Sequence, residues 1–348
     1  MKKIDKTNFK KKELEINEKV LLKLKKSKKI NKYFIHNNFF LINGECIEVM
    51  NSLISEGICV DHIITDIPYG TVQGLSISGW KKKSSIPKWD IPINNNLMYE
   101  ATFKISKPNC NMILFSQEPL TYNLINDMNL FKKYSLSNKM IWKKNNHANG
   151  FNSKTTPLNY YEEMLLIRKS LDESNCLELR KYFKDLLDFI PYSKKQIIEN
   201  IGQGLDHCFR FQNRTWHIPS EENYKNLIKK YQIDKFQKFK KYSEIKKQYL
   251  DETKTIFNLP KKSKAISNVF EVSKDKKNIH PTQKPLELLE NLILIFSNKN
   301  DTIIDFTCGS GSTGIAAVKN QRKFIGIELD EKFYNEAISW YKKKFKDF

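Results

Sequence analysis

Two short stretches of the 348-residue chain carry side chains that could do chemistry. The first is Asp66-Ile67-Pro68-Tyr69, which closes a β-branched run; its proline cannot continue a strand. An exocyclic amine on a nucleobase is a poor nucleophile, because its lone pair is delocalised into the ring. The Asp66 carboxylate and the Ile67 carbonyl would accept its two N–H bonds and favour the pyramidal, more nucleophilic nitrogen, while Tyr69 would stack on the base. A base in a duplex would first have to be flipped out. The competing reading is a proline-terminated strand with a capping Asp. The second stretch runs from Asp305 through Phe306, Thr307, Cys308, Gly309, Ser310 and Gly311 to Thr313, after a β run and into a helix. Its glycines let the backbone approach a ligand, and the helix N-terminus offers free N–H groups. The next strand ends at Glu328, where an acid can accept both hydroxyls of a ribose. Together these residues predict a nucleoside-containing cofactor. The third glycine of a dinucleotide fingerprint and the lysine of a P-loop are missing, and an ordinary βα turn is the alternative.

The elements that must position these stretches alternate. Strands are expected at 38–42, 59–65, 111–116, 138–143, 163–168, 302–306 and 323–328. Helices are expected at 46–55, 97–107, 119–129, 312–320 and 331–346. This order implies an α/β fold with a mostly parallel sheet. Residues 71–96, rich in Gly, Ser, Pro and Lys, read as a loop in which Trp80 and Trp89 either cover the base or anchor the loop. Residues 173–261 lose the strand signals and read as an α-helical insertion. The expected organisation is therefore a basic N-terminal extension over 1–35, a catalytic part over 36–172, the insertion over 173–261 and a cofactor-binding part over 262–348.

The chain holds 60 Lys and Arg against 39 Asp and Glu, a net charge of +21 that argues for a polyanionic partner, nucleic acid first. Only 5 of the basic residues are Arg, a ratio that codon usage can explain, although it does not oblige a net charge. Residues 1–35 and 225–264 each carry 13 Lys against 4 acids, so the basicity is regional. Such blocks suit either solvated helix faces or phosphate contacts. No apolar run is long enough for a membrane span, and the N-terminus lacks the apolar core of a secretory signal. The six cysteines are scattered without metal-type spacing, which fits reduced thiols in a cytoplasmic protein with no metal site.

In combination the motifs resemble the β-class S-adenosylmethionine-dependent DNA amino-methyltransferases, the N6-adenine and N4-cytosine family. That family has a [DNS]-P-P-[YF] catalytic loop and a glycine-rich cofactor loop, and here the catalytic loop comes first by about 240 residues, the permuted order of the β-class. His280-Pro281-Thr282-Gln283-Lys284-Pro285 is similar to a segment which that class places before the glycine loop, and Gly44-Glu45-Cys46 resembles its acidic turn. Trp142-Lys143 and Glu163 resemble landmarks of later strands. The resemblance implies a permuted Rossmann-like fold and methyl transfer from S-adenosylmethionine to the N6 amino group of adenine in duplex DNA. It implies that Asp66, Ile67, Pro68 and Tyr69 hold the base. Asp305, Phe306, Gly309 and Gly311 would line the methionine end of the cofactor, Glu328 its ribose and Glu45 its adenine, with Thr282 and Lys284 on its carboxylate. Ile67 stands where the family has Pro, and Thr307 where it often has Phe. Asp at the first catalytic position points to adenine. Transfer to cytosine N4 or to RNA, and a catalytically inactive DNA-binding relative, are the competing functions. Protein partners compatible with the class are a second copy in a homodimer and a separate restriction endonuclease.

Within the insertion, residues 176–190 read as one helix ended by Pro191, and Ser193 as the N-cap of the next. A glycine turn at 201–204 and a further short helix from Asp206 would make a helix-turn-helix. Arg180, Lys194, Arg210 and Arg214 are its expected DNA contacts, since arginine can bind guanine bidentately.

Overall fold

The computed structural model describes residues 30–70, 90–148, 154–155, 157–169, 177–212, 216–253, 255–260, 263–275 and 283–345. Thr282, Arg214, Trp80, Trp89 and the basic stretch before residue 30 lie outside them.

The chain forms two units, one of residues 1–168 and 256–348 and one of residues 169–255. In the first, the described residues open with strands β1 (Ile30–His36) and β2 (Phe39–Gly44), helix α1 (Cys46–Ser55) and strand β3 (His62–Asp66). Helix α2 (Asn95–Ile105), strand β4 (Asn111–Ser116), helix α3 (Leu120–Phe131) and strands β5 (Tyr134–Ala148) and β6 (Asn159–Lys169) follow. The second unit carries helices α4 (Leu177–Phe189), α5 (Lys194–Ile201), α6 (Glu221–Tyr231) and α7 (Tyr242–Thr253). The first unit then resumes with strand β7 (Val269–Glu271), helix α8 (Leu286–Phe296), strand β8 (Thr302–Asp305), helix α9 (Ser312–Lys319), strand β9 (Lys323–Glu328) and helix α10 (Glu331–Lys344).

Among the described residues the sheet has nine strands in the order β1-β2-β9-β8-β3-β4-β6-β5-β7. The run β2-β9-β8-β3-β4 is parallel throughout. Its strands are near-continuous apolar runs because both faces are covered. Residue parity decides the face. Phe40, Ile42, Ile63, Leu114, Ile304 and Ile325 pack with α1, α2 and α3, whereas Phe39, Leu41, Ile64, Ile113, Ile303 and Phe324 pack with α8, α9 and α10. The result is a three-layer α/β sandwich. Helices leave β8 and β3 toward opposite faces, so these neighbours form a topological switch point, where ligands of open α/β sheets bind.

Two expectations change here. Ile30–His36 pairs antiparallel with β2, so the sheet begins inside the stretch read as an N-terminal extension over 1–35. The strand at 163–168 runs antiparallel to β4 and longer than expected, as Asn159–Lys169. Helix α8, with five of its leucines and isoleucines buried, carries no turn signal at its start beyond Pro285 and is missing from the sequence reading.

The second unit has its own core, in which Leu179, Phe183, Leu186, Ile197, Trp216, Tyr224, Leu227 and Ile245 meet. It begins a few residues earlier than the expected insertion over 173–261 and ends before it. Ser193 caps α5 in a reciprocal box with Gln196, as its sequence suggests. The helix-turn-helix does not form. After Gly202 the chain makes two single 3₁₀ turns, Gln203–Leu205 and His207–Phe209, and among the described residues no α-helix follows until α6. Leu205, Cys208 and Phe209 are all buried at i, i+3, i+4, the spacing of one helical stripe, so the local pattern does not tell these 3₁₀ turns from an α-helix.

No helix among the described residues is long and apolar enough to cross a membrane.

Candidate functional site

The two chemistry-bearing turns lie side by side at the C-terminal ends of β3 and β8. In register, His62 and Ile63 face Ile303 and Ile304, which carries Asp66 and Asp305 to neighbouring strand tips. A hydroxyl network joins them. Thr307 Oγ1 donates to the Asp66 carbonyl at 3.1 Å and lies 2.7 Å from Thr65 Oγ1. Thr65 Oγ1 donates to Asp305 Oδ1 at 2.8 Å, and the Thr307 N–H donates to the same oxygen at 3.2 Å. Thr307 is thus the direct tie between the turns.

Both turns open on a cavity of about 380 Å³. Its walls include Glu45, Asp66, Ile67, Pro68, Tyr69, Asp90, Phe115, Lys284, Asp305, Phe306, Gly309 and Glu328. Gly311 adopts φ +78°, a left-handed conformation that disfavours any side chain, and it caps α9 with the helix N-terminus toward this turn. At Gly314 a Cβ would lie 2.5 Å from the rings of Phe39 and Phe324, so this glycine lets α9 settle onto the sheet. Glu328 is held at both oxygens. Oε2 accepts the Gly309 N–H at 2.8 Å and Oε1 the Asp330 N–H at 2.8 Å. Asn43 on β2 fixes the same strand end by donating to the Glu328 and Leu329 carbonyls at 2.9 and 3.1 Å. Each Glu328 oxygen keeps a second lone pair for a ligand hydroxyl. Burial raises its carboxyl to about 7 against the two N–H bonds, and burial likewise raises Asp305 to about 6.

Around Asp66 the site is ionic. Tyr69 donates its hydroxyl to Asp66 Oδ1 at 2.9 Å, and the Lys284 ammonium sits 2.5 Å from Oδ2. The same ammonium is 3.1 Å from Glu162 Oε2, and Glu162 Oε1 is 2.5 Å from Lys144 Nζ. Lys284 also lies over the rings of Phe115 and Tyr69, 5.1 and 5.7 Å from their centroids. Burial pushes Asp66 above the ordinary carboxylate range against the pull of Lys284, with the Glu162 charge adding to the rise. Burial would raise Glu162 too, but Lys284 and Lys144 hold it below its usual value. Burial would depress Lys284, yet the two carboxylates keep it above its own.

The structure gathers Asp66, Ile67, Pro68, Tyr69, Glu45, Lys284, Asp305, Phe306, Gly309 and Glu328 around one cavity, with Gly311 in the adjoining turn. Some stand differently from expectation. Lys284, expected on a cofactor carboxylate, is engaged by Asp66 and Glu162. Glu45 is also the N-cap of α1, accepting from the Glu48 N–H at 2.8 Å. The Phe306 and Ile67 side chains are buried in the core beneath the turns. Glu163, the strand landmark, pairs with Lys139, while its neighbour Glu162 joins the site. Residues the sequence reading missed are Thr65, Asp90, Glu162 and Lys144, and Thr307 is one it named without a role. Strand parity separates Glu162 from Glu163, but which face carries the site is known only once the sheet is assembled.

In the helical unit, Arg180 is corrected. It is 6% exposed, its Nη1 donates to the Phe211 carbonyl at 2.5 Å, and its guanidinium lies 5.0 Å from the Trp216 ring centroid. It therefore braces the core of that unit. Lys194 and Arg210 are part-exposed and share Asp206.

The family model described as DNA methylase matches residues 60–339. Among curated proteins, the type II methyltransferase M2.MboI of Moraxella bovis is 46% identical over 74 residues, 19% of this chain and 27% of that protein. The DNA adenine methyltransferase YhdJ of Escherichia coli (strain K12) is 46% identical over 64 residues, 18% of this chain and 22% of that protein. The chain thus spans about a quarter of the length of the curated relatives it matches. Among solved structures, the M1.HpyAVI-SAM complex aligns with a TM-score of 0.50 and 19% identity, over 86% of this chain and 98% of that one, a likeness of fold.

Proposed function

Because the chain belongs to the DNA methylase family, we propose that it transfers a methyl group from S-adenosylmethionine to the N6 amino group of adenine at a specific sequence in duplex DNA. The observation that carries this reading is the hydrogen bond from Thr307 to the Asp66 carbonyl, which sets a base-holding turn against a cofactor-type turn at the switch point. The residues present fit the cofactor. Glu328 offers two anchored oxygens with spare lone pairs for two ribose hydroxyls, and Asp305, Phe306, Gly309 and Gly311 form the turn beside it. Glu45 would border the adenine end, and Thr282 would meet the carboxylate. When bound, S-adenosylmethionine supplies an electrophilic methyl group on its sulfonium. Asp66 and the Ile67 carbonyl would accept the N–H bonds of the flipped base while Tyr69 stacks on it. Methylation would leave the amine with a proton to lose, and Asp66, whose proton affinity burial raises, would be placed to take it. Lys194 and Arg210, with lysines of the 225–264 block, would hold the duplex.

Adenine is favoured over cytosine N4 by the Asp at position 66. The test is methylation-aware sequencing of DNA from cells expressing the chain, with nucleoside mass spectrometry of DNA treated by purified protein. N6-methyladenine at one motif is expected, and Asp66→Ala should lower transfer at least about 100-fold while calorimetric cofactor binding persists. N4-methylcytosine would move the target to cytosine, and no label in any DNA would overturn the reading.

A further inference from the structure

Asp66 faces a conflict in the structure as it stands. A carboxylate that is to accept the N–H of a substrate amine has one oxygen on Tyr69 and the other against a buried ammonium. A cation at 2.5 Å draws electron density from the acceptor and occupies the approach to it. Lys284 cannot simply swing into water, because its side chain is 5% exposed and flanked by Phe115 and Tyr69. Giving up Asp66 there is tolerable only if another carboxylate stays within ion-pair distance of the buried charge.

We propose that Glu162 is a positioning residue for methyl transfer: it provides a second seat for the Lys284 ammonium, so that the cation leaves Asp66 when the substrate amine arrives. Lys284 Nζ already lies 3.1 Å from Glu162 Oε2, within ion-pair distance, so the ammonium keeps a carboxylate partner as its hold on Asp66 is given up. Glu162 is poised as that seat, because Oε1 is pinned by Lys144 and Oε2 has, among the described residues, no hydrogen-bond partner besides Lys284. Charge is conserved through the shift, since Asp66, Glu162, Lys284 and Lys144 form a neutral group of four. Asp66 and Lys284 line the cavity, whereas Glu162 and Lys144 stand behind Lys284 and act through it. The strands explain the placement: Glu162 shares its parity on β6 with Met164 and Leu166, and Lys144 shares its parity on β5 with Trp142, all on one face of the sheet.

This inference rests on the proposed function, so its test has one readout that needs no catalysis. In full-length protein labelled with 13C at Asp carboxyls, the Asp66 signal is assigned by its loss in Asp66→Asn. Glu162→Gln should titrate Asp66 at lower pH than wild type, because a like charge is removed and Lys284 is no longer shared. The second readout is single-turnover methylation of duplex DNA. Glu162→Gln should slow it about tenfold or more with cofactor affinity, by calorimetry, unchanged within about threefold. In a Lys284→Met background the same substitution should have no further effect, since the cation it steers is gone. An Asp66 midpoint unmoved by Glu162→Gln overturns the inference, as does a rate loss that persists in full without Lys284. A wild-type chain that methylates no DNA overturns the functional reading instead, and the titration alone then decides whether Lys284 is shared.

Discussion

Replacing Glu328 by Gln separates what the carboxylate does for the cofactor from what it does to the fold. Its folded carboxyl titrates at about 7 because of burial, against 4.5 as its ordinary value. A raised acid binds protons more tightly folded than unfolded, so below pH 4.5 it exerts no penalty, and stability falls as pH rises from there to about 7. Integrated between pH 5 and pH 8, the loss amounts to about 2 to 3 kcal/mol. Glutamine does not titrate, so Glu328→Gln should become more stable relative to wild type by that amount over the same interval. A second, pH-independent term opposes it. Both oxygens accept backbone N–H groups, from Gly309 and Asp330, and the amide NH₂ can accept neither. Facing one donor with another should destabilise the variant by about 1 to 3 kcal/mol at every pH. The assay is urea unfolding of ligand-free protein at pH 5 and pH 8, with calorimetric titration of S-adenosylmethionine at pH 8. The variant should start behind wild type at pH 5, draw level or pass it at pH 8, and still bind cofactor at least about tenfold more weakly through its lost ribose acceptor. A stability difference that does not change with pH would refute the idea of a buried, destabilised carboxylate. Unaltered cofactor affinity would refute its place at the ribose.

Three further outcomes are expected. Thr307→Val removes the donor to the Asp66 carbonyl but leaves Thr65 bonded to Asp305, so stability should drop by only about 1 kcal/mol in urea unfolding, while the single-turnover methylation rate falls more steeply than cofactor affinity. Gly314→Ala places a methyl group 2.5 Å from the Phe39 and Phe324 rings. It should destabilise the first unit by about 1 to 3 kcal/mol despite alanine's better helix propensity, measured by thermal unfolding. Arg180→Ala removes a bond to the Phe211 carbonyl and the cover over Trp216. It should lower protection of the helical unit in hydrogen exchange without altering the salt slope of DNA binding, whereas Lys194→Ala and Arg210→Ala should flatten that slope.

The sequence alone determined the strand tips and the two turns that follow them. Each parallel strand is buried on both faces and so reads as a short apolar run, and its end is marked locally, by proline after β3 and β4, by glycine at β2 and after β8, and by the Asp330 helix cap after β9. For that reason Asp66, Asp305 and Glu328 could be placed at strand ends before any fold was known, and Ser193 at a helix cap. What tertiary structure decided was every relation across the sheet. The tie from Thr307 to Asp66 spans 241 residues and the ion pair from Lys284 to Asp66 spans 218, distances over which no local pattern carries information. Burial decided the charges: Arg180 looks like a DNA contact by residue type, yet packing made it a brace, and two adjacent glutamates were sorted by which face of β6 each occupies. Side-chain chemistry is local, but ionisation and partnership depend on what the fold brings within a few ångströms and on how much water it leaves there.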